Sequence, residues 1–347
     1  MAPALDSAQR RPRRVMVLGA TGTIGRATVR ALVQHGHDVV CFVRPRVGAQ
    51  RAPVAHHRAH PGTHDSAHPL HGAALRYGDV HDPASLARDA FAGQRFDALV
   101  SCLASRTGSP NDAWAIDHQA HAHALVAAGR AGVSHMVLLS AICVQKPLLA
   151  FQHAKLAFER ELMGSGLDYS IVRPTAFFKS LSGQVDRVRR GKPFLVFGDG
   201  RLTACKPISD DDLAGYLADC LDRDDRRNRV LPIGGPGDAI TPRQQGDHLF
   251  ALLGREPRFK HVPVALLDMI IKTLTIAGRV LPPLAAKAEL ARIGRYYATE
   301  SMLVLNPDTR RYDAAATPST GSQTLFEHYA DLLQGRATHE RGEHAVF

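Results

Sequence analysis

A doubly wound α/β fold built on a parallel sheet is predicted by three features of this 347-residue chain. Residues 15–25, VMVLGATGTIG, read as an apolar strand that breaks into a glycine-rich turn and enters a helix. Apolar strand patterns then alternate with helical patterns as far as residue 233, the rhythm of strand–helix–strand units. With 45% hydrophobic residues, the chain also has enough apolar side chains to bury a large core. The expectation is an α/β, doubly wound parallel-sheet Rossmann fold over residues 14–235, followed by a smaller, mainly helical substrate domain over residues 236–335.

The glycine turn comes first. Gly19 permits the tight turn, Gly22 lets a pyrophosphate approach the backbone, and Gly25 lets the helix pack on the strand. Beyond Thr21, the N–H groups of Thr23 and Ile24 then point at phosphate from a helix N-terminus. The second strand, residues 38–44 (DVVCFVR), ends where such folds place the residue that reads the adenosine ribose. An acidic residue there accepts from a 2′-hydroxyl, whereas this strand ends in Arg44, whose guanidinium fits a 2′-phosphate. The expected cofactor is therefore NADPH, with Arg46 as a helper; a plain surface cation is the competing reading of Arg44.

Residues 45–73 break the pattern with Pro, Gly and Ala around His56, His57, His60, His64, His68 and His71, and read as a mobile loop. The irregular histidine spacing argues against a metal site. A third strand at 74–78 leads to Asp79, a candidate acceptor for the adenine amino group, and Val80, a candidate contact for the ring; a plain Asx turn competes with the first. A helix at 83–92, a strand at 97–103, a helix at 112–131 and a strand at 133–140 follow. Ligands sit beyond the carboxyl ends of such strands, which puts Ser101, Cys102, Leu103 and Ser140 beside the ribose and nicotinamide. The next helix, 151–165, carries Phe151, Ala154, Leu156, Phe158 and Leu162 at helical spacing, with Lys155 one turn after Phe151. A strand at 167–172 then runs into Arg173 and Pro174, the latter a further cofactor contact.

The net charge of +10 invites a polyanionic partner, and Arg187, Arg189, Arg190 and Lys192 form a local basic run. No helix-turn-helix, zinc finger or RNA-binding aromatic signature accompanies it, so no nucleic-acid partner is expected. Five cysteines without a C-x-x-C pair exclude a disulfide framework or zinc cluster and fit a reducing compartment. The short polar segment before Arg14 lacks an apolar core, and is read as the disordered tail of a cytoplasmic protein.

The turn at Gly19, Gly22 and Gly25 resembles that of the short-chain dehydrogenase/reductase superfamily, in its atypical, NmrA-like branch, and the resemblance spans nearly the whole chain. In ordinary members a Tyr four residues before a Lys protonates an alkoxide, while the Lys holds the nicotinamide ribose. Here the phrase is Phe151, Gln152, His153, Ala154, Lys155, so the lysine remains and the tyrosine is absent. Phenylalanine has no proton to give, which disfavours ketone reduction by that route. Reducing a carbon–carbon double bond conjugated to an extended π system spreads the charge, and no adjacent acid is needed. Residues 151–184, FQHAKLAFERELMGSGLDYSIVRPTAFFKSLSGQ, are similar to the NADPH-dependent 8-vinyl reductases of chlorophyll and bacteriochlorophyll synthesis. So are GDGRLTACKPIS from Gly198, YYATESMLV from Tyr296 and TPSTGSQTL from Thr317. The resemblance implies reduction of the 8-vinyl group of 3,8-divinyl chlorophyllide a, or protochlorophyllide a, to ethyl, with Lys155 on the ribose and the proton drawn from Lys155, a tyrosine or water. A non-catalytic NADP(H) sensor, or a reductase of another conjugated alkene, is the alternative.

Beyond the cofactor domain, a Ser209/Asp210 cap opens a helix to Leu221, and a strand at 230–233 completes the sheet. Thr241 caps a helix to Leu253. Residues 264–284 form a long apolar stretch interrupted by Asp268, Lys272 and Arg279, too broken for a membrane span. It reads as internal packing, or as an apolar wall for a flat macrocycle or a peripheral contact with a photosynthetic membrane surface. Tyr296 and Tyr297 are candidates to stack on the tetrapyrrole or deliver a proton. Phe151, Phe177, Phe178 and Lys179 are the candidate substrate contacts, Lys179 for a propionate, with residues 176–204 contributing to the pocket. A helix at 323–333 closes the chain and residues 336–347 read as a tail.

Overall fold

The computed structural model describes residues 11–45 and 70–337. The tail before residue 11, Arg46, the loop histidines His56, His57, His60, His64 and His68, and the end of the chain past residue 337 lie outside the described residues.

Val15, Met16, Val17 and Leu18 have no solvent exposure, as a central strand requires, and they form β1 (Arg14–Leu18). Then come β2 (Asp38–Val43), β3 (Ala74–Tyr77), β4 (Ala98–Ser101), β5 (His135–Leu139) and β6 (Asp168–Pro174). The next strand, β7 (Phe194–Phe197), leaves the sheet, and β8 (Arg229–Ile233) returns to its edge. The order is β3-β2-β1-β4-β5-β6-β8, and every neighbouring pair is parallel. Strand order reverses between β1 and β4, so the crevice beyond their carboxyl ends is the topological switch point at which such sheets bind ligands.

Alternate side chains of β1 feed two apolar layers. Val15 and Val17 meet the helix Thr23–Gln34 through Ala27 and Leu32, and the helix Asp210–Asp219 through Leu213 and Leu217. Met16 and Leu18 meet Phe91, Leu125 and Phe158 on the other face. The helical run at residues 110–130 is not uniform: Pro110–Ala113 and His121–Arg130 are α-helical, while Trp114–Ala120 between them widens to π-type bonding. Such an insertion shifts the facing of each side chain, and here it turns Ile116, Asp117 and Ala120 inward.

Two histidines are buried without charge, His135 at the start of β5 and His121 in a helix packed on the sheet. His121 Nδ1 donates to the carbonyl of Ile116 at 2.8 Å, which leaves Nε2 to accept from Ser101 Oγ at 2.8 Å; His135 Nε2 lies 3.0 Å from Ser170 Oγ. Burial pushes both imidazoles down to about 4, with the Lys155 charge adding to the effect at His121. An unfolded histidine takes its proton near pH ~6.5, so between that value and pH ~4 the unfolded chain binds protons that the native one refuses. Stability is therefore expected to be insensitive to these groups above about pH 6.5 and to fall by about 1.4 kcal/mol per pH unit per histidine as pH drops toward 4. Urea denaturation at about pH 7, 5.5 and 4.5 measures this; an unchanged midpoint across the series would refute neutral burial.

After β6 the chain builds a second core. Phe178, Val188, Phe194, Leu249, Phe250 and Tyr329 pack together, and β7 pairs in parallel with β9 (Phe259–Val262), a pairing that local patterns do not announce. Thr241 and Thr324 cap the helices Pro242–Leu252 and Leu325–Leu333 with reciprocal capping boxes. The apolar stretch at 264–284 proves to be parts of two helices, Val264–Ala277 and Pro282–Thr299. They run antiparallel, held by an Asp268–Arg295 ion pair and by Arg292 donating to Thr275 Oγ1 at 2.8 Å. Its reading as mere internal packing is corrected: the first helix buries none of its residues, and Met269 and Val280 are 60% and 81% exposed. Among the described residues, no helix is long and apolar enough to cross a membrane.

Candidate functional site

The switch point is shaped by backbone. Gly19 has φ +76, and a Cβ there would lie 2.6 Å from the Cys102 carbonyl; a Cβ on Gly25 would lie 2.0 Å from the Gly19 oxygen. At Gly22 the same atom would meet Gly19 O at 3.4 Å, ordinary contact, so the space above that glycine is open. Gly22 is also the N-cap of the helix Thr23–Gln34, and having no side chain it leaves the first-turn N–H groups uncapped. Lys179 Nζ donates to Thr23 Oγ1 at 2.8 Å, which brings a cation onto the same turn. Thr21 and Arg44 are exposed, the latter directly after β2. Open space, uncapped N–H groups and two cations fit a dinucleotide with an extra phosphate.

Several residues expected at this edge present backbone rather than side chain. The Ser101 hydroxyl is bonded to buried His121, and the Cys102 thiol, pushed up to about 11 by burial, donates to Thr28 Oγ1 at 3.7 Å. Cys102 and Leu103 therefore meet Gly19 through their peptide groups. The Ser140 hydroxyl donates to Glu159, a carboxylate with no exposure that is also paired with Arg173. Asp79 accepts from the His81 N–H at 2.9 Å, which is the Asx turn, and Val80 is buried among Leu86 and Phe91. Pro174 is buried at the end of β6.

The candidate substrate and proton-donor residues also separate. Phe178 is 3% exposed inside the second core, so its role as a pigment contact is corrected to packing. Lys179 lies at the glycine turn, where its ammonium donates to Thr23 Oγ1. Phe177 bridges to Ile208 and packs on the sheet layer, while Phe151 is half-buried against Ala141, Cys143, Ala176 and Tyr296. Tyr296 is 4% exposed, with its hydroxyl 2.9 Å from the Cys143 carbonyl and 3.0 Å from that of Lys146. Tyr297 is exposed, at 44%, with its hydroxyl 3.9 Å from the Cys143 thiol. Burial raises both phenols above their ordinary range, which makes them poor proton donors. They serve to dock the helix Pro282–Thr299 over the loop that follows β5, just as Ile293 docks it on Gly108 beyond β4.

Lys155 is where the sequence pattern puts it, one turn into the helix Ala150–Met163, and its Nζ lies 3.0 Å from Asp117 Oδ1. Asp117 escapes sequence reasoning, although an acid at helical spacing from Ala113, Ala120 and Ala124, all fully buried, was the signal to find. Glu159, one turn after Lys155, likewise escapes it.

A family model described as NAD(P)H-binding matches residues 19–224, more than half of the chain. The chain is 49% identical over 339 residues to the divinyl chlorophyllide a 8-vinyl-reductase, chloroplastic, of Oryza sativa subsp. indica, covering 96% of this chain and 82% of that protein. The Arabidopsis thaliana protein of the same name is 47% identical, over 95% of this chain and 79% of its own length. Among solved structures, the NADPH-dependent quinone oxidoreductase QOR2 of Escherichia coli in complex with NADPH superposes with a TM-score of 0.63 at 18% identity, over 92% of this chain and 99% of that one, a likeness of fold.

Proposed function

The chain belongs to the divinyl chlorophyllide a 8-vinyl-reductase family, and from that premise we propose that it reduces the 8-vinyl group of 3,8-divinyl chlorophyllide a, or of the protochlorophyllide, to ethyl with NADPH. The observation that carries this reading is identity of 49% along 96% of the chain. A lysine site with phenylalanine in place of the usual phenol supports it, because the charge left on a conjugated macrocycle is delocalised and needs no tuned acid beside it.

NADPH supplies the hydride when bound. The N–H groups of Thr23 and Ile24 and the Lys179 ammonium hold its pyrophosphate, Arg44 its 2′-phosphate, and Lys155 its nicotinamide ribose. The peptides of Cys102 and Leu103, with Pro174, line the ring's side of the crevice. Phe151 and Phe177 supply the apolar floor for the pigment, beneath the helix Pro282–Thr299. Water delivers the proton, since the hydroxyls of Tyr296 and Tyr297 are held at Cys143. The chain's main contribution is orientation, which accounts for much of the barrier lowering in such a reaction.

The separate core of Phe178, Phe194, Leu249 and Tyr329 supports a cofactor domain over 14–235 and a substrate domain over 236–335, with part of 176–204 packed into the second. The exposed apolar helix Val264–Ala277, with Lys272 on it and Arg279 just past its end, supports peripheral contact with a pigment-bearing membrane surface.

The test is anaerobic incubation of the purified protein with divinyl chlorophyllide a and NADPH, following the Soret band and the product mass. The expected product has gained a hydride and a proton and shows a blue-shifted Soret band, with NADH ineffective. Arg44→Ser is expected to raise the KM for NADPH roughly ten- to hundredfold, the loss of a charged hydrogen bond. Tight NADPH binding with an unchanged pigment would sink the reductase reading and favour the sensor.

A further inference from the structure

We propose that Asp117 is the positioning residue of this site, holding the Lys155 ammonium in place for the cofactor's nicotinamide ribose so that Lys155 acts as a fixed cation and not as the proton donor. The inference rests on the assignment of Lys155 to the ribose. Asp117 is 1% exposed and its side chain is wholly excluded from solvent. A carboxylate in that position is stable only when matched by charge and hydrogen bonds. Among the described residues, the cation on it is Lys155, at 3.0 Å from Oδ1. The Ser105 N–H also donates to Oδ1 at 3.3 Å, while Oδ2 accepts from no described group.

Those contacts tie three elements together. Ser105 belongs to the loop that leaves β4, whose neighbouring peptides at Cys102 and Leu103 press on Gly19; Lys155 belongs to the helix Ala150–Met163; and Asp117 sits in the π-type segment Trp114–Ala120. Segments of that type concentrate at functional sites because they re-aim side chains that a regular helix would place elsewhere. The arrangement also decides what Lys155 does chemically. Releasing its proton would leave a solvent-excluded carboxylate with no counter-charge, so the pair works against Lys155 as a donor. The ion pair holds the ammonium in position.

The experiment compares two ligands on the full chain without any pigment, so the outcome is independent of whether the vinyl reduction is correctly assigned. NADPH reports on the whole site, and adenosine 2′,5′-bisphosphate reports on the adenosine half alone. Asp117→Asn is expected to weaken NADPH binding roughly tenfold, the loss of a well-placed charged contact, and to leave the bisphosphate affinity unchanged. The double variant Lys155→Met with Asp117→Asn removes both buried charges together, is expected to fold at least as well as the single Asn variant, and should bind NADPH no more weakly than Lys155→Met alone. Wild-type NADPH affinity in Asp117→Asn, equal losses for both ligands, or additive losses in the double variant would each overturn the proposal.

Discussion

Lys155→Ala is expected to cut turnover by about 100-fold or more and, in the same protein, to lower folding stability by about 3–5 kcal/mol. Both effects come from one side chain. Its Nζ is the cation on a carboxylate with no solvent exposure, so truncation strands Asp117 as an uncompensated buried charge. It is also the group assigned to the nicotinamide ribose, and a ring displaced by about an ångström loses most of its alignment with the vinyl group. Activity alone therefore says little about Lys155. The informative measurement is turnover per folded molecule, set beside a urea denaturation curve. The double variant Lys155→Met with Asp117→Asn should recover most of the stability and none of the turnover. Wild-type turnover in Lys155→Ala would remove the lysine from the mechanism; wild-type stability would mean that the buried carboxylate does not depend on it.

Gly25→Ala should be equally damaging by a different route. The added Cβ would sit 2.0 Å from the Gly19 oxygen and 2.8 Å from its carbonyl carbon. Those are backbone atoms, with no rotamer to change, so the helix Thr23–Gln34 must move off β1 or the turn must open. A loss of about 3 kcal/mol, at the upper end of overpacking costs, is expected, together with loss of measurable NADPH binding. Gly22→Ala is the control. Its Cβ meets Gly19 O at an unremarkable 3.4 Å and otherwise points into open space, so the fold should keep its melting temperature within a few degrees while NADPH binding weakens. Equal melting temperatures for the Gly25 and Gly22 variants would contradict the packing argument.

Local chemistry along the chain determined the fold class and the expected place of the cofactor. The Gly19–Gly22–Gly25 spacing, the alternation of strand and helix periods, Arg44 at the end of β2 and Lys155 without its tyrosine are all properties of short windows, and short windows carry turn geometry and periodicity. Identity of 49% along 96% of the chain with a member of one family then narrows the reaction. What no window contains is the direction a side chain takes at a strand end. Ser101 and Ser140 stand at the predicted edge, yet their hydroxyls are committed to His121 and Glu159, partners that arrive from helices 20 and 19 residues further on. Lys179 reads as a pigment contact from its place after β6, and reaches Thr23 across 156 residues. Asp117 looks like an ordinary helical acid until a π-type segment turns it inward onto Lys155. Periodicity decides which elements form and which face is buried. The partners of a polar group are decided by the requirement that a buried charge or hydroxyl find its match, and only the assembled tertiary structure brings those matches within reach.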